Sequence, residues 1–282
     1  MNKRKFPKFC TDELKREGVC KIYDEIFSLE LPTLADVTSS VDKHNDLSGF
    51  FKNYMTNLVK PYQSRLDGIS DNELFLRFLD IATRQNLLAG IESVFGPMEL
   101  IGGGIYVTDA KFIETDKYVG SQKWHFDRFS NKHVKVFINI SDIGIADGPT
   151  LIMKRTVCKK LFTITAHIRA LWSRHYRQLI YAKDIKGGIP IDIVKFDCVD
   201  KDQGFLSTAG PRGTVTIANT GSLLHCGGRV EKNGYRCFMV IHFCPTRRYI
   251  DPKKHDADHW KMGLKLSSIL QANEIRTLLK RQ

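Results

Sequence analysis

From about residue 98 the chain breaks into short runs of β-branched and aromatic residues, and this pattern most narrows the folds open to it. The runs cover 99–107, 123–126, 134–140, 150–153, 213–217, 222–225 and 235–243. Strong turn signals separate them: Asp147-Gly148-Pro149, Gly210-Pro211, Asn219-Thr220-Gly221 and Asn233-Gly234. Many short strands with turns of this kind predict a β-sandwich or barrel.

Around this region the periodicity is helical. Asp12-Glu13-Leu14-Lys15-Arg16 leads into Val19, Ile22, Ile26 and Phe27 at spacings that suit one helical face. Residues 74–95 carry a broader apolar stripe that Gly96-Pro97 stops. Residues 157–182 form a basic, amphipathic helical insert within the β region, either a lid over a site or a cover for a sheet face. The segment 260–279 predicts another amphipathic helix. The expected organisation is a mostly helical region over 1–97, a β core over 98–250 containing the 157–182 insert, and a C-terminal helix within 251–282, together one catalytic domain.

Bulk properties set further bounds. At 282 residues the chain can bury a substantial core, and 42% hydrophobic with 26% charged residues is an ordinary globular balance. No apolar run approaches the roughly 18–20 residues needed to span a bilayer, and the basic N-terminus has no apolar stretch behind it, so no secretory signal is expected. The seven cysteines are scattered, without Cys-x-x-Cys, which argues against a disulfide framework or a zinc site. A reducing, cytoplasmic location is expected. The net charge of +12 attracts anions, whether small metabolites, nucleic acid or acidic surfaces, and does not choose among them.

The chemistry lies in an ordered set of residues. His125-x-Asp127 would put an imidazole and a carboxylate on one face of a strand. A second histidine from elsewhere would complete a two-His-one-carboxylate face, the ligand set of non-haem Fe(II) oxygenases. The β-run ending at His225 offers that histidine. Arg236 follows eleven residues later, beyond Asn233-Gly234, a hairpin dipeptide that would fold its strand back beside the one carrying His225. A guanidinium there can grip a carboxylate through two parallel hydrogen bonds, or pair with Glu231 across the hairpin. Cys226 reads as a small buried residue facing away from the site. His242 shares a face with Arg236 and reads as a core histidine or one behind the ligands. His133 begins the next strand without a matched partner. Gly102-Gly103-Gly104 reads as a loop or a strand distortion, not a phosphate cradle.

From about residue 121 to 243 the chain resembles the phytanoyl-CoA dioxygenase-like branch of the Fe(II)/2-oxoglutarate oxygenases. Trp124-His125-Phe126-Asp127-Arg128 is similar to that branch's Trp-His-x-Asp motif, and residues 135–143 to the strand after it. Asp147-Gly148-Pro149 and the strand that follows resemble its Asn-Gly-Pro turn, while residues 213–217, Asn219-Thr220-Gly221, His225 and Arg236 resemble its closing elements. The resemblance implies a mainly β fold with flanking helices: a double-stranded β-helix (jelly roll, cupin-like) core with a helical N-terminal region. It implies Fe(II) at His125, Asp127 and His225, and 2-oxoglutarate with its distal carboxylate on Arg236. Gln122 and Thr220 are further candidates for the co-substrate. Arg128 and Trp124 are candidates for the substrate, although Arg128 would equally suit a surface salt bridge and Trp124 the core.

Two departures stand out. Met153-Lys154-Arg155-Thr156 replaces the branch's Pro-Gly-Ser-His, and Gly227 stands where a serine is usual, so that a hydrogen bond to the co-substrate is lost or comes from Thr220 or another group. The carboxylate of Asp127 disfavours halogenation, whose catalysts keep a small residue at that position. The function expected is hydroxylation of an unactivated C–H bond of a small metabolite, an anionic one fitting the charge, with O2 consumed and succinate and CO2 released. Ascorbate would stimulate by keeping the iron reduced. The alternative is a non-catalytic jelly-roll protein that binds an anionic ligand or nucleic acid.

Overall fold

A computed structural model describes residues 7–23, 31, 64–65, 87–109, 120–122, 124–127, 130–159, 204–231 and 234–245. Most of the 157–182 insert, the C-terminal helix expected at 260–279, and much of the region 1–97 lie outside them. The elements that lie within the described residues include the helices α1 (Lys8–Glu17) and α2 (Leu87–Phe95) and a set of strands. The strands are β1 (Val19–Ile22), β2 (Ser64–Arg65), β3 (Met98–Asp109), β4 (Val134–Asn139), β5 (Thr150–Met153), β6 (Phe205–Ser207), β7 (Val215–Asn219), β8 (His225–Gly227) and β9 (Tyr235–Pro245).

The strands form two antiparallel sheets, one of six strands in the order β1-β7-β4-β9-β3-β2 and one of three in the order β6-β5-β8. Alternation along β9 shows how they pack. Cys237, Met239, Ile241 and Phe243 belong to one core with Leu14 of α1 and Leu87, Ile91 and Phe95 of α2. Phe238 and Val240 face the other way, into a second core with Ile152 and Met153 of β5 and Cys226 of β8. Both faces of the large sheet are therefore buried, and its central strands read as nearly continuous apolar runs. The fold is mainly β with flanking helices, a double-stranded β-helix, as expected. Among the described residues no helix is long and apolar enough to cross a membrane.

Three local features differ from the sequence expectations. Val19 and Ile22, whose spacing suited a helical face, lie on β1, because α1 stops at Gly18 in the left-handed conformation (φ 75°) and the chain then pairs with β7. Burial of Leu14 in the helix-side core, worth about 1.5–3 kcal/mol, holds this short helix in place where its own propensity is weak. Cys10 and Cys20 are joined in a disulfide between α1 and β1, whereas Cys158, Cys226, Cys237 and Cys244 are free and buried. Scattered spacing hid this pair, since only the reversal at Gly18 brings the two together.

The third difference concerns the expected hairpin. β9 does not return beside β8. β8 pairs with β5 in the small sheet, and β9 pairs with β4 and β3 in the large one. The connection is stitched instead to the Asp147-Gly148-Pro149 turn. Gly228 N–H donates to the Pro149 carbonyl (3.0 Å), Glu231 N–H to that of Ala146 (2.8 Å), and Tyr235 N–H to Asp147 Oδ1 (3.1 Å). His225 and Arg236 thus lie on facing sheets. The glycine triplet lies within β3, where the register with β9 shifts between Leu100 and Gly102, a strand distortion. The departing segment 153–156 ties β5 to α1: Arg155 donates to the Lys15 carbonyl (2.5 Å) and Thr156 Oγ1 to Glu17 Oε2 (2.9 Å).

Candidate metal centre

The segment 124–127 runs antiparallel to β8. His125 N–H donates to the His225 carbonyl (3.0 Å) and His225 N–H to that of His125 (3.1 Å), while Asp127 N–H donates to the Thr220 carbonyl (3.0 Å). The extended backbone puts His125 and Asp127 on one side and Trp124 on the other, where it is buried against Phe205 with ring centroids 5.4 Å apart. The turn after β7 brings Thr220 to this segment. Gly221 is required there, because a Cβ would collide with the carbonyl of Ser130.

One ligand atom from each of His125, Asp127 and His225 falls within a sphere of mutual distances no longer than 4.8 Å. The imidazoles of His125 and His225 are 4.2 Å apart between centroids, and His225 Nε2 is 3.7 Å from Asp127 Oδ2. His225 Nδ1 is 3.2 Å from the Leu223 carbonyl, which can only accept, so the ring proton sits on Nδ1 and the Nε2 lone pair points inward. His225 Nε2 is buried and makes no hydrogen bond, and the Asp127 Oδ2 it faces is buried as well, held from behind by Lys135 Nζ at 2.8 Å. The buried Nε2 lone pair of His225 aims at a carboxylate oxygen with no donor between them, which is costly unless a cation is shared there, so the residues fit a bound metal.

Behind the candidate ligands lie Lys135 and His133, whose roles were not recognised from the sequence, and His242, for which such a place was one of two readings. Lys135 Nζ lies 2.9 Å from Asp127 Oδ1 and 2.8 Å from Oδ2. His133 Nδ1 lies 3.3 Å from the same Oδ2, and His133 Nε2 is 3.1 Å from His242 Nδ1. His242, level with Lys135 across the β4–β9 pair, therefore sits behind His133 and one residue removed from Asp127. One signal was present: Lys135 interrupts the apolar run of β4, where a buried charge needs a counter-ion.

Burial alone would push the Asp127 carboxyl up, but the Lys135 ammonium and the surrounding imidazoles together hold it well below the usual carboxylate range. Burial, opposed by Asp127, brings His133 down to about 4, so at neutral pH its contact with Asp127 is not an ion pair. Burial and the neighbouring His125 hold His225 well below the ordinary histidine value. The Cys226 thiol is pushed up to about 12 by burial and is a packing residue in the inter-sheet core, as expected.

These shifts fix the acid response of the metal-free protein. Below 6.5 an unfolded His133 takes up a proton that the folded one refuses down to about 4, and His225 acts in the same direction. Stability is therefore fully present above pH 6.5 and falls across that window. Asp127, depressed in the fold, extends the loss below 3.8. Melting temperatures measured from pH 8 to 4 should be level above about pH 7 and fall steadily below it. A level profile throughout would contradict these assignments.

Arg236 is only 2% exposed. Its guanidinium lies over the Phe238 ring (5.1 Å), and Nη2 would be 3.4 Å from a Cβ placed on Gly227, two residues after His225. A Cβ there would be in ordinary contact with the guanidinium, so Arg236 lies directly against Gly227, close in sequence to His225. Thr108 is level with Arg236 across the β3–β9 pair; its hydroxyl is buried and makes no hydrogen bond. Gln122, in the 3-10 turn Gly120–Gln122, is buried. The hydroxyl of Thr220 donates to the His133 carbonyl (3.3 Å) and its carbonyl accepts from Asp127, so this residue braces the ligand segment. Arg128 lies outside the described residues.

No protein-family model matches the chain, and no curated protein is similar to it in sequence. Solved structures with a related chain path include the non-haem alpha-ketoglutarate-dependent epimerase SnoN from nogalamycin biosynthesis (11% identity over 84% of this chain and 82% of that one, TM-score 0.49). Others are HygX from Streptomyces hygroscopicus with nickel and 2-oxoglutarate bound (14%, 86% and 88%, TM-score 0.47) and EctD from S. alaskensis with 2-oxoglutarate and 5-hydroxyectoine (10%, 89% and 80%, TM-score 0.46). At these identities and TM-scores the likeness carries no argument about this chain.

Proposed function

We propose that this chain is an Fe(II)- and 2-oxoglutarate-dependent oxygenase, related to the phytanoyl-CoA dioxygenase-like branch, that hydroxylates an unactivated C–H bond of a small anionic metabolite. The observation that carries this reading is the convergence of one ligand atom from each of His125, Asp127 and His225, with the buried His225 Nε2 left without a hydrogen bond. Two imidazoles and one carboxylate leave coordination positions open, which suits non-haem iron. When bound, the iron would supply O2 activation coupled to conversion of 2-oxoglutarate to succinate and CO2.

The protein's own residues supply placement. The His125–His225 backbone pair and the Asp127–Thr220 bond hold the three ligands rigid, and the Leu223 carbonyl sets the tautomer of His225. Arg236, buried next to β8, is positioned to take the far carboxylate of the co-substrate, with Gln122 a further contact. Trp124 packs away from the ligand face, so the substrate would be met by other residues. The basic composition favours an anionic substrate, with the insert at 157–182 a candidate wall of its pocket.

The test is direct. Protein prepared anaerobically should take up a stoichiometric amount of Fe(II), bind 2-oxoglutarate in the iron-loaded form, and form succinate when O2 is admitted with ascorbate and a panel of anionic metabolites. Failure to load iron would return the chain to the alternative of a metal-free binding protein.

A further inference from the structure

We propose that Lys135 is a resident counter-ion of Asp127 that competes with the metal and sets the site's affinity for divalent cations low; this rests on the metal reading above. The ammonium spans both carboxylate oxygens, at 2.9 and 2.8 Å, and the two side chains are only 15% and 10% exposed. Asp127 supplies the sole negative charge of the ligand set. Lysine and aspartate therefore cancel in the metal-free protein, and a divalent ion adds two positive charges next to an ammonium already in place.

A lysine beside a ligand can act in two opposing ways. It can hold the carboxylate in the ligating orientation, which favours the metal, or it can draw off its charge and repel the ion, which disfavours it. Here the backbone that carries the carboxylate is held without the lysine, and a neutral donor at 135 can take over the hydrogen bond to Oδ1. Asp127 is fixed through its own N–H to the Thr220 carbonyl, its neighbour His125 is paired twice with His225, and His133 Nδ1 stands 3.3 Å from Oδ2. Lys135 itself is fixed on the central strand β4, flanked by β7 and β9, so it has little room to withdraw. What only the lysine contributes, beyond that hydrogen bond, is charge. That contribution stabilises the metal-free fold, since a largely buried carboxylate would otherwise stand without a counter-charge.

The whole chain and its Lys135→Met and Lys135→Gln variants should be compared by equilibrium Mn(II) binding and by melting temperature with and without Mn(II). Glutamine keeps a hydrogen-bond donor on Asp127 while removing the charge, and so covers the case in which methionine does not fold. Both variants should bind Mn(II) at least roughly tenfold more tightly than the wild type. They should melt lower without metal and recover most of the difference with it. A Mn(II) affinity that is unchanged or weaker in the variants, with wild type binding normally, would overturn the counter-ion role. Absence of Mn(II) binding in the wild type and in both folded variants would overturn the metal reading itself, and this one with it. Equal destabilisation with and without Mn(II) would mark Lys135 as merely structural.

Discussion

Asp127→Ala and His225→Ala proteins should bind no Fe(II) at working concentrations and form no succinate above background. Changes in the residues that support metal ligands typically cost roughly 10–100-fold in affinity, and removing a ligand itself should exceed that. The two substitutions differ in their side effects. His225→Ala removes Nε2 but leaves intact the backbone bonds that pair residue 225 with His125, so the strand arrangement persists. Asp127→Ala leaves Lys135 in a largely buried place without its carboxylate, so this variant should also melt at lower temperature. Metal content after anaerobic loading, read beside circular dichroism, separates loss of ligand from loss of fold. Stoichiometric iron in both folded variants would remove these residues from the centre.

Replacing Arg236 should leave iron content unchanged and raise the 2-oxoglutarate concentration needed for half-maximal turnover by roughly 10–100-fold. Hydrogen bonds to charged groups contribute about 1.5–3 kcal/mol, which corresponds to a change of that size. The arginine is buried over Phe238 and beside Gly227, on the sheet facing His225. Arg236→Gln keeps much of the volume while removing the charge and the planar fork. Arg236→Lys should restore only part of the affinity, because an ammonium does not reproduce two parallel donors. An unchanged co-substrate dependence in Arg236→Gln would place the anchor elsewhere.

Part of this site was legible before any coordinates. His125-x-Asp127 implied a shared face through strand alternation alone, and the structure brings both side chains to His225. The route was not legible in full. Asn233-Gly234 suggested a hairpin that would place Arg236 beside His225, yet residues 228–235 are drawn to the Asp147-Gly148-Pro149 turn and the strands join different sheets. Local turn propensity reports only on the residues of the turn, whereas the partners of a strand are chosen by burial across the whole fold. Alternation put His242 on the face of Arg236, but its link through His133 to Asp127 was not legible, because that link crosses the β4–β9 pair. The Cys10–Cys20 link was hidden for the same kind of reason, since only the reversal at Gly18 makes it.

By itself, the sequence determined that this is a β-rich chain with turn-bounded strands, and that it holds two histidines, one carboxylate and an arginine in an order suited to a metal and a dicarboxylate. Those are consequences of side-chain period and residue chemistry, which act locally. Only the tertiary structure decided that the arginine faces the ligands from the opposite sheet, and that Nε2 of His225 and Oδ2 of Asp127 are left as buried acceptors. It alone placed a lysine against the carboxylate. Desolvation and long-range register set those features, and neither is written in any short stretch of the chain.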